Sequence, residues 1–164
     1  MAVDMFLKLD GVKGEAVDLN SPSHQDEISV LAWSWGASNS GTTHLAKGSG
    51  AGKANVQDLS LTKYIDKAST ALFIATCNGK HFANAVLTVR KAGEKPLEYV
   101  KVTMTDVMIT SYSTGGSGGE DMLTENVTLN FAKAQVEYWQ QNPDGTGTAA
   151  GNETFDIQAN FTQK

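Results

Sequence analysis

The chain has 164 residues, a formal net charge of −5, a hydrophobic share of 40% and a charged share of 19%. This length fits one domain with a single substantial core, and the composition is typical of a globular protein rather than a disordered or membrane chain. The acidic balance excludes nucleic acid as the main partner, because phosphate binding requires clustered lysine and arginine.

Alternation of apolar and polar side chains, broken by glycines, predicts a chain made mostly of β-strands. The predicted strands, in chain order, cover residues 3–9, 28–36, 54–65, 83–90, 98–112, 123–138 and 155–161. In the fifth strand the apolar parity changes near Thr105 and Asp106, which predicts a β-bulge or a corner. The stretch 142–145 predicts a turn, which a glycine- and threonine-rich tract extends to Gly151.

The second predicted strand carries two tryptophans at alternate positions. Since successive side chains of a strand point to opposite faces, Leu31, Trp33 and Trp35 share one face. Ile28, Val30, Ala32 and Ser34 share the other. We interpret the indole face as a core or subunit contact and the face of small residues as an open surface.

The glycine- and serine-rich stretch 37–53 follows this strand and is too long for a tight hairpin. Its end superficially matches a phosphate-binding loop, but only three residues separate Gly48 and Gly52. Ala54 then stands where a hydroxyl residue belongs. Because a strand rather than a helix follows, the amides of a helix N-terminus are missing, and we assign the stretch no nucleotide.

The run 69–79 predicts the one helix, since Ser69 or Thr70 suits its N-cap and Gly79 suits its end. We expect Cys77, within this apolar run, to be a buried thiol. With roughly seven to nine strands beside it, the best architecture is a closed or nearly closed antiparallel barrel, or a sandwich.

Residue types that bind metals or act as nucleophiles are scattered along the chain. His24, His44 and His81 have no second ligand at the spacing of a metal site. The single cysteine cannot form an internal disulfide, which favours folding in the cytoplasm. We therefore expect no cofactor, no metal and no catalytic set, and this leaves binding or assembly as the function.

The N-terminus lacks the basic start and long apolar core of a signal peptide, because Asp4 and Lys8 interrupt its apolar run. No apolar run approaches the ~20 residues that cross a bilayer. We expect no membrane insertion and no export through the Sec pathway.

Several long motifs, in one order along the chain, resemble the haemolysin co-regulated protein (Hcp) family, the inner-tube subunit of bacterial type VI secretion. The motifs are MAVDMFLK at 1–8, AWSWG at 32–36, VQDLSLTKYIDK at 56–67, LTVRKAG at 87–93, STGGSGGED at 113–121 and LTENVTLNF at 123–131. The similarity covers nearly the whole chain and weakens over 16–25 and from residue 140 onward. Several motifs in register are far more specific than a single glycine pattern.

The resemblance implies a mainly β fold, a tight antiparallel β-barrel built from two sheets with one short flanking α-helix. It implies one domain over 1–164 with an extended glycine-rich loop at 37–53. It also implies a homo-hexamer whose rings stack head-to-tail into a tube, with a contractile sheath, a spike protein at the tip and secreted effectors as partners. Such a protein is cytoplasmic before firing and is then secreted without a signal peptide.

Given this resemblance, we assign separate roles to two parts of the chain. Ser34 and Ala32 are the predicted lumen residues that contact small effectors, while Trp33 and Trp35 pack in the wall or against a subunit. The loop 37–53 is predicted to contact the neighbouring ring. Its predicted ring-stacking residues are Thr42, Leu45, Gly48 and Lys53.

Two alternatives from other classes stay open. A monomeric carbohydrate-binding β-sandwich module would stack its exposed tryptophans on sugar rings. A small hydrolase would use Cys77, Ser34 or an unrecognised carboxylate, and it would need a cluster of ionisable groups with shifted pKa values.

Overall fold

The computed structural model describes residues 3–41 and 52–163, so the predicted stacking residues Thr42, Leu45 and Gly48 lie outside the described residues. Within those ranges the chain is mainly β, with one α-helix and antiparallel strand pairs. The elements are β1 (Val3–Leu9), β2 (Ile28–Ser29), β3 (Ala32–Ser34), β4 (Ala37–Ser38), β5 (Asn55–Val56), β6 (Leu59–Tyr64), α1 (Ser69–Asn78), β7 (His81–Lys91), β8 (Leu97–Thr114), β9 (Thr124–Gln141), β10 (Gly147–Asp156) and β11 (Phe161–Gln163).

Nine of these strands form one sheet. Its main path runs β11-β10-β9-β8-β7-β1-β2, and β6 joins it by pairing with β9 on one side and β3 on the other. β4 and β5 form a separate two-stranded ribbon. The core side chains come from the inward positions of the long strands and from α1, and they include Leu7, Leu59, Leu72, Met104 and Leu129.

The predicted fold class is confirmed as mainly β and antiparallel with one helix, but the predicted closed barrel of two sheets is not found. In the described ranges β2 pairs only with β1, and β3 pairs only with β6. The residues between them still connect the two ends of the sheet. Val30 N–H donates to Met5 O at 2.9 Å, and Leu31 N–H donates to Thr62 O at 2.8 Å.

The second predicted strand is therefore two short strands with different partners. The side of the segment that faces the core changes at the point where the partner strand changes. Val30 is buried, Leu31 is exposed, and Trp33 is the next half-buried residue. For this reason the prediction that Leu31 shares a face with the tryptophans is wrong. The prediction that Ile28 and Val30 share a face with Ala32 and Ser34 is wrong as well, because the first two are buried and the last two are exposed. Strict alternation holds only within one continuous strand, and here the chain passes from β1 to β6.

β8 is a single strand of 18 residues whose inward parity changes first near Asp106 and again before Tyr112. Met104 is buried before the first change and Val107 after it. Asp106 lies between them with a φ of 54°, so the predicted change of phase is confirmed at this residue. The bulge in the pairing with β9 lies further along, between Ile109 and Ser111.

α1 is confirmed as the predicted helix, and Gly79 ends it in the left-handed conformation with a φ of 66°. The predicted side-chain cap at Ser69 or Thr70 is wrong, because the N-cap residue is Ala68. The Ser69 hydroxyl instead accepts a hydrogen bond from Asp66 N–H at 2.9 Å.

Leu72 and Ala75 are the buried apolar side chains of α1. Cys77 lies on the exposed side, so its predicted burial is wrong. Apolar residues occur all round this helix, with Phe73 and Ile74 about half exposed, and the sequence does not indicate which side packs on β8. In the described part of the chain no helix has the length and apolar content to cross a membrane.

The C-terminal third departs from the prediction at two places. The turn at 142–145 is confirmed, with a φ of 85° at Gly145, but the tract to Gly151 belongs to β10 rather than to a loop. The predicted strand 155–161 is wrong. Its middle is a turn in which Asn160 has a φ of 52°, and this turn separates β10 from β11.

A buried ion pair joins β6, β9 and α1. Lys63 and Glu125 are each 0% exposed, and the lysine Nζ donates to Glu125 Oε1. Nζ also donates to Asp66 Oδ1 at 2.9 Å, and the Ser69 hydroxyl donates to Glu125 Oε1 at 2.9 Å. On β8 the Tyr112 hydroxyl donates to Glu125 Oε2 at 2.7 Å. Burial, helped by the hydrogen bond to Glu125, raises the pKa of Tyr112 to about 12, so this hydroxyl remains a donor.

We expect Lys63→Met to lower the free energy of unfolding by about 3 to 5 kcal/mol, because Glu125 then stays buried without its cation. Denaturant unfolding followed by circular dichroism measures this loss. The double change Lys63→Met with Glu125→Leu should lose less, since the fully buried carboxylate is removed together with its cation and only Asp66 is left without the lysine.

The matched control is Lys67→Met. Lys67 is about half exposed and lies 3.9 Å from Asp26, so we expect a change within about 0.5 kcal/mol. A loss in the Lys63→Met variant no larger than in this control contradicts the role of the buried pair.

Candidate functional site

β3 divides the predicted site residues between two sides of the sheet. Ala32 and Ser34 are exposed, and Trp33 between them is half-buried against the core. This division follows from the alternation of side chains along an extended strand. β6 continues the exposed side, because Ala32 is paired with Thr62 and Ser34 with Ser60.

The exposed side extends across β6 to β9, where Thr62 is paired with Asn126 and Ser60 with Thr128. The Thr62 hydroxyl donates to Asn126 Oδ1 at 2.7 Å, and the hydroxyl oxygens of Ser60 and Thr128 lie 3.3 Å apart. We call this surface the neutral face. Its six side chains, none of them ionisable, are Ala32, Ser34, Ser60, Thr62, Asn126 and Thr128.

The neutral face forms a shallow depression of about 300 Å³ over β3, β6 and β9. Its hydroxyl and amide groups both donate and accept hydrogen bonds, so they suit polar ligands that carry either donors or acceptors. They do not provide a general base that would activate the Ser34 hydroxyl. The sequence singled out only Ala32 and Ser34. Alternation within 59–64 and 124–130 predicts that the other four side chains point outward. It does not predict the strand pairing that brings them together.

On the opposite side of the sheet, the indole rings of Trp33 and Trp35 fix the segment 32–35. The Trp35 Nε1–H donates to Gln57 O at 2.8 Å, and its ring meets Phe131 edge-on with ring centres 5.9 Å apart. Trp33 also packs against the buried cluster. Both rings are partly buried rather than fully exposed, which disfavours the alternative in which exposed tryptophans stack on sugar rings.

The stretch 37–53 begins and ends as an antiparallel ribbon. Ala37 is paired with Val56 and Ser38 with Asn55, and Gly52 N–H donates to Ser40 O at 3.1 Å. Lys53 is exposed beside this ribbon. The described ends of the stretch are therefore held together, directly after Trp35 in the chain.

A second buried ion pair holds the loop between β1 and β2. Arg90 Nη1 donates to Asp18 Oδ2 at 2.7 Å and Nη2 donates to Oδ1 at 3.0 Å, and both side chains are buried. The backbone N–H groups of His24 and Asn20 also donate to this carboxylate. The Arg90 guanidinium, followed by these backbone donors, holds the pKa of Asp18 well below its usual range against the opposing effect of burial. In turn, the bond to Asp18 raises the pKa of Arg90.

His24 and His81 occupy different environments. The buried His24 ring lies between Glu27 Oε2 at 2.8 Å and Glu98 Oε1 at 2.9 Å and stacks on Phe6. The exposed His81 ring lies 2.8 Å from Asp106 Oδ1. Among residues 3–41 and 52–163, no group of three or more His, Cys, Asp or Glu side chains forms a metal-binding arrangement.

Both the sequence and the structure of this chain are similar to those of known proteins. A family model described as "Type VI secretion system effector, Hcp" matches residues 6–138. Protein hcp1 of Pseudomonas aeruginosa strain PAO1 is 59% identical over 146 residues, which is 88% of each chain. A solved structure described as a type six secretion system protein is 30% identical, with a TM-score of 0.92 over 99% of this chain and all of its own. Hcp1 from Salmonella typhimurium is 35% identical, with a TM-score of 0.76 over 99% of this chain and all of its own.

We expect Asp18→Asn to lower the free energy of unfolding at neutral pH by about 3 to 5 kcal/mol, because Arg90 stays charged and buried. The pKa of Asp18 is lower in the folded than in the unfolded chain. Its stabilising effect is therefore present above the unfolded value near 3.8 and is lost as the pH falls below it. The difference in the free energy of unfolding between the variant and the original protein should narrow below about pH 4.

Denaturant unfolding over a pH series measures this gap. Asp121→Asn is the control, because that carboxylate lies exposed in the loop between β8 and β9 and should contribute much less. A gap that stays constant down to the most acidic pH argues against the Asp18–Arg90 pair as its cause.

Proposed function

This chain belongs to the Hcp family of type VI secretion, and on that premise we propose that it is the ring-forming subunit of the secretion tube. It is a secreted structural protein of this system. In the proposal, the subunits close into a hexameric ring, and rings stack head-to-tail. A contractile sheath expels the tube with a spike protein at its tip, after the subunits have folded and assembled in the cytoplasm.

The observation that carries the proposal is the division of the segment 32–35 between two sides of the sheet. A subunit of a tube wall needs one side that packs and another that faces the channel. Trp33 and Trp35 provide packing surface, and Ala32 and Ser34 open onto the neutral face. We assign the neutral face to the lumen, where it holds small effectors during export.

The stretch 37–53 is assigned to contact with the next ring. Support comes from its position, since its ends form the β4–β5 ribbon directly beside the segment that carries the lumen residues. The proposed stacking residues Thr42, Leu45 and Gly48 lie outside the described residues, and Lys53 is exposed. A head-to-tail contact joins two different surfaces of neighbouring copies, which is the geometry that continues into a stack.

The first experiment is native mass measurement combined with negative-stain electron microscopy of the purified protein. We expect a species of six times the chain mass, seen as rings with a central hole. A clean monomer at micromolar concentration overturns the proposal and revives the alternative of a monomeric sugar-binding module.

Deletion of residues 41–50 tests the stacking assignment in the same two measurements. We expect the variant to fold and to form rings, while stacked tubes disappear, because the contact between rings is removed. Tubes of normal length in micrographs of this variant contradict the assignment and leave the ring itself unaffected.

Ser34→Gln tests the lumen assignment. The longer side chain should occupy the depression on the neutral face, so we expect weaker retention of small effectors co-expressed from the same secretion system, with ring mass unchanged. Pull-down and native mass measure the two properties. Ser38→Gln is the matched control, since Ser38 is exposed on β4 outside the neutral face, and unchanged retention in the Ser34 variant removes Ser34 from the site.

A further inference from the structure

The buried ring of His24 has a carboxylate oxygen beside each of its two nitrogens. Nδ1 lies 2.8 Å from Glu27 Oε2, and Nε2 lies 2.9 Å from Glu98 Oε1. The ring also stacks on Phe6, with ring centres 4.5 Å apart. His24 and Glu27 belong to the loop between β1 and β2, whereas Glu98 belongs to β8. The contact between His24 and Glu98 therefore links this loop to the main sheet.

The two contacts together require two protons on the ring of His24. The oxygens of an ionised carboxylate only accept hydrogen bonds, and a neutral imidazole has one N–H group where an imidazolium has two. A proton shared between the ring and either carboxylate stays on the ring, because imidazole is the stronger base. The other oxygen of Glu98 lies 3.0 Å from Lys101 Nζ, so this carboxylate also has a second cationic partner. The geometry is therefore that of a doubly protonated ring.

Negative groups outnumber positive groups around this ring. The charged side chains that pair around it are four carboxylates and two cations, namely Glu27 and Asp18 of the loop, Glu98 and Lys101 of β8, Asp4 of β1 and Arg90 of β7. Arg90 is already paired with Asp18 and Asp4, and its guanidinium lies 4.9 Å from the ring centre of Phe6. The other charged side chains of these elements contact different groups or solvent: Lys8, Asp10, Lys13 and Glu15 are exposed, Asp26 lies 3.9 Å from Lys67, and Lys91 lies over Tyr99.

This excess of carboxylates favours a positive charge on the His24 ring. Burial opposes the charge, because a buried ion loses its contact with water. Two hydrogen bonds to carboxylates offset that cost, since bonds between charged partners are about twice as strong as neutral ones. The ring thus meets the usual condition for a buried charge, which is to be both paired and hydrogen-bonded.

We propose that His24 is a pH-sensitive clasp, which holds the loop between β1 and β2 on β8 while both ring nitrogens carry protons and loosens the loop when one proton is lost. In the neutral ring one nitrogen has only a lone pair, and it faces the lone pairs of a carboxylate oxygen. A hydrogen bond is then replaced by a repulsion. The Asp18–Arg90 pair still anchors the loop, so we expect local loosening rather than unfolding. The clasp belongs to the folded chain itself and is independent of the proposed assembly into rings.

The clasp is complete at mildly acidic pH and is lost at alkaline pH. Below about pH 6.5, where a histidine in an unfolded chain takes up its proton, the ring makes both hydrogen bonds. As the pH rises, the ring gives up one proton and the hydrogen bond from that nitrogen disappears. This direction is opposite to that of Asp18, whose stabilising effect is lost as the pH falls.

Nitrogen NMR of the protein with ¹⁵N-labelled histidine tests the protonation of the ring. The two ring nitrogens have similar chemical shifts in an imidazolium and widely separated shifts in a neutral imidazole. The His24→Gln variant identifies the His24 signals by their absence. We expect both nitrogens to carry protons at about pH 6 and only one at about pH 9. A ring with a single proton at the lower pH overturns the clasp.

Amide hydrogen exchange of the intact protein, followed by mass spectrometry, tests the loosening. The segment 14–27 contains amides that hold the loop together, since Ala16 N–H donates to Glu27 O and Asp26 N–H donates to Ala16 O. After correction for the intrinsic pH dependence of exchange, this segment should exchange at least about tenfold faster at the higher pH, which corresponds to one lost hydrogen bond to a charged group. The segment 124–131 of β9 is the internal reference. Equal corrected exchange of the loop at both pH values contradicts the proposal.

Glu98→Gln separates the clasp from other effects of pH. Its amide oxygen can accept from Lys101 while its amide nitrogen donates to an unprotonated Nε2, so the link no longer requires a second proton on the ring. We expect the pH dependence of loop exchange to disappear in this variant. His81→Gln is the matched control, because His81 is exposed beside Asp106 and its loss should leave that dependence unchanged. Persistence of the dependence in the Glu98 variant, or its disappearance in the control, removes His24 as its cause.

Discussion

The pairing between Lys63 and Glu125 is the constraint on which the rest of the structure depends. The two residues are directly opposite each other on β6 and β9, and the next pair along the strands is Thr62 with Asn126. A slip of one residue would turn the lysine outward and the threonine inward, and would reverse every side chain of β6. Separating a buried charge from its main partner costs more than misplacing an apolar side chain, so the pair opposes this slip more strongly than the apolar side chains do. The buried pair of Lys63 and Glu125, on the opposite side of the sheet, therefore determines which side chains form the neutral face.

The same arrangement recurs in the loop between β1 and β2. There Asp18 is buried with Arg90, and Val17 and Leu19 on either side are exposed. In both places an ion pair in the interior determines which adjacent side chains are exposed to solvent. This explains how a chain without an internal disulfide fixes its outward surfaces.

Much of the secondary structure was predictable because it depends on local alternation. The strands β1 and β7, the helix with Gly79 at its end, and the change of parity at Asp106 all follow from near neighbours in the chain. The pairing of Ser34 with Ser60, and of Ser60 with Thr128, depends on residues far apart in sequence and was not predictable. The change of partner at Val30 was missed for the same reason. One signal was readable: Lys63 has the parity of the buried Leu59 and Leu61, which indicates an inward charge in need of a partner.

The absence of ionisable groups among the six side chains of the neutral face has a consequence for transport. In the proposed tube, such a lining would add no fixed charge of its own to the channel, although the whole chain carries a net charge of −5. Cargo would then be accepted irrespective of its isoelectric point, and ionic strength would have little influence on its retention, because there is no attraction for salt to screen. In the proposed tube, selection among effectors would then depend on their size and their capacity for hydrogen bonding, and one channel would accept acidic and basic proteins alike.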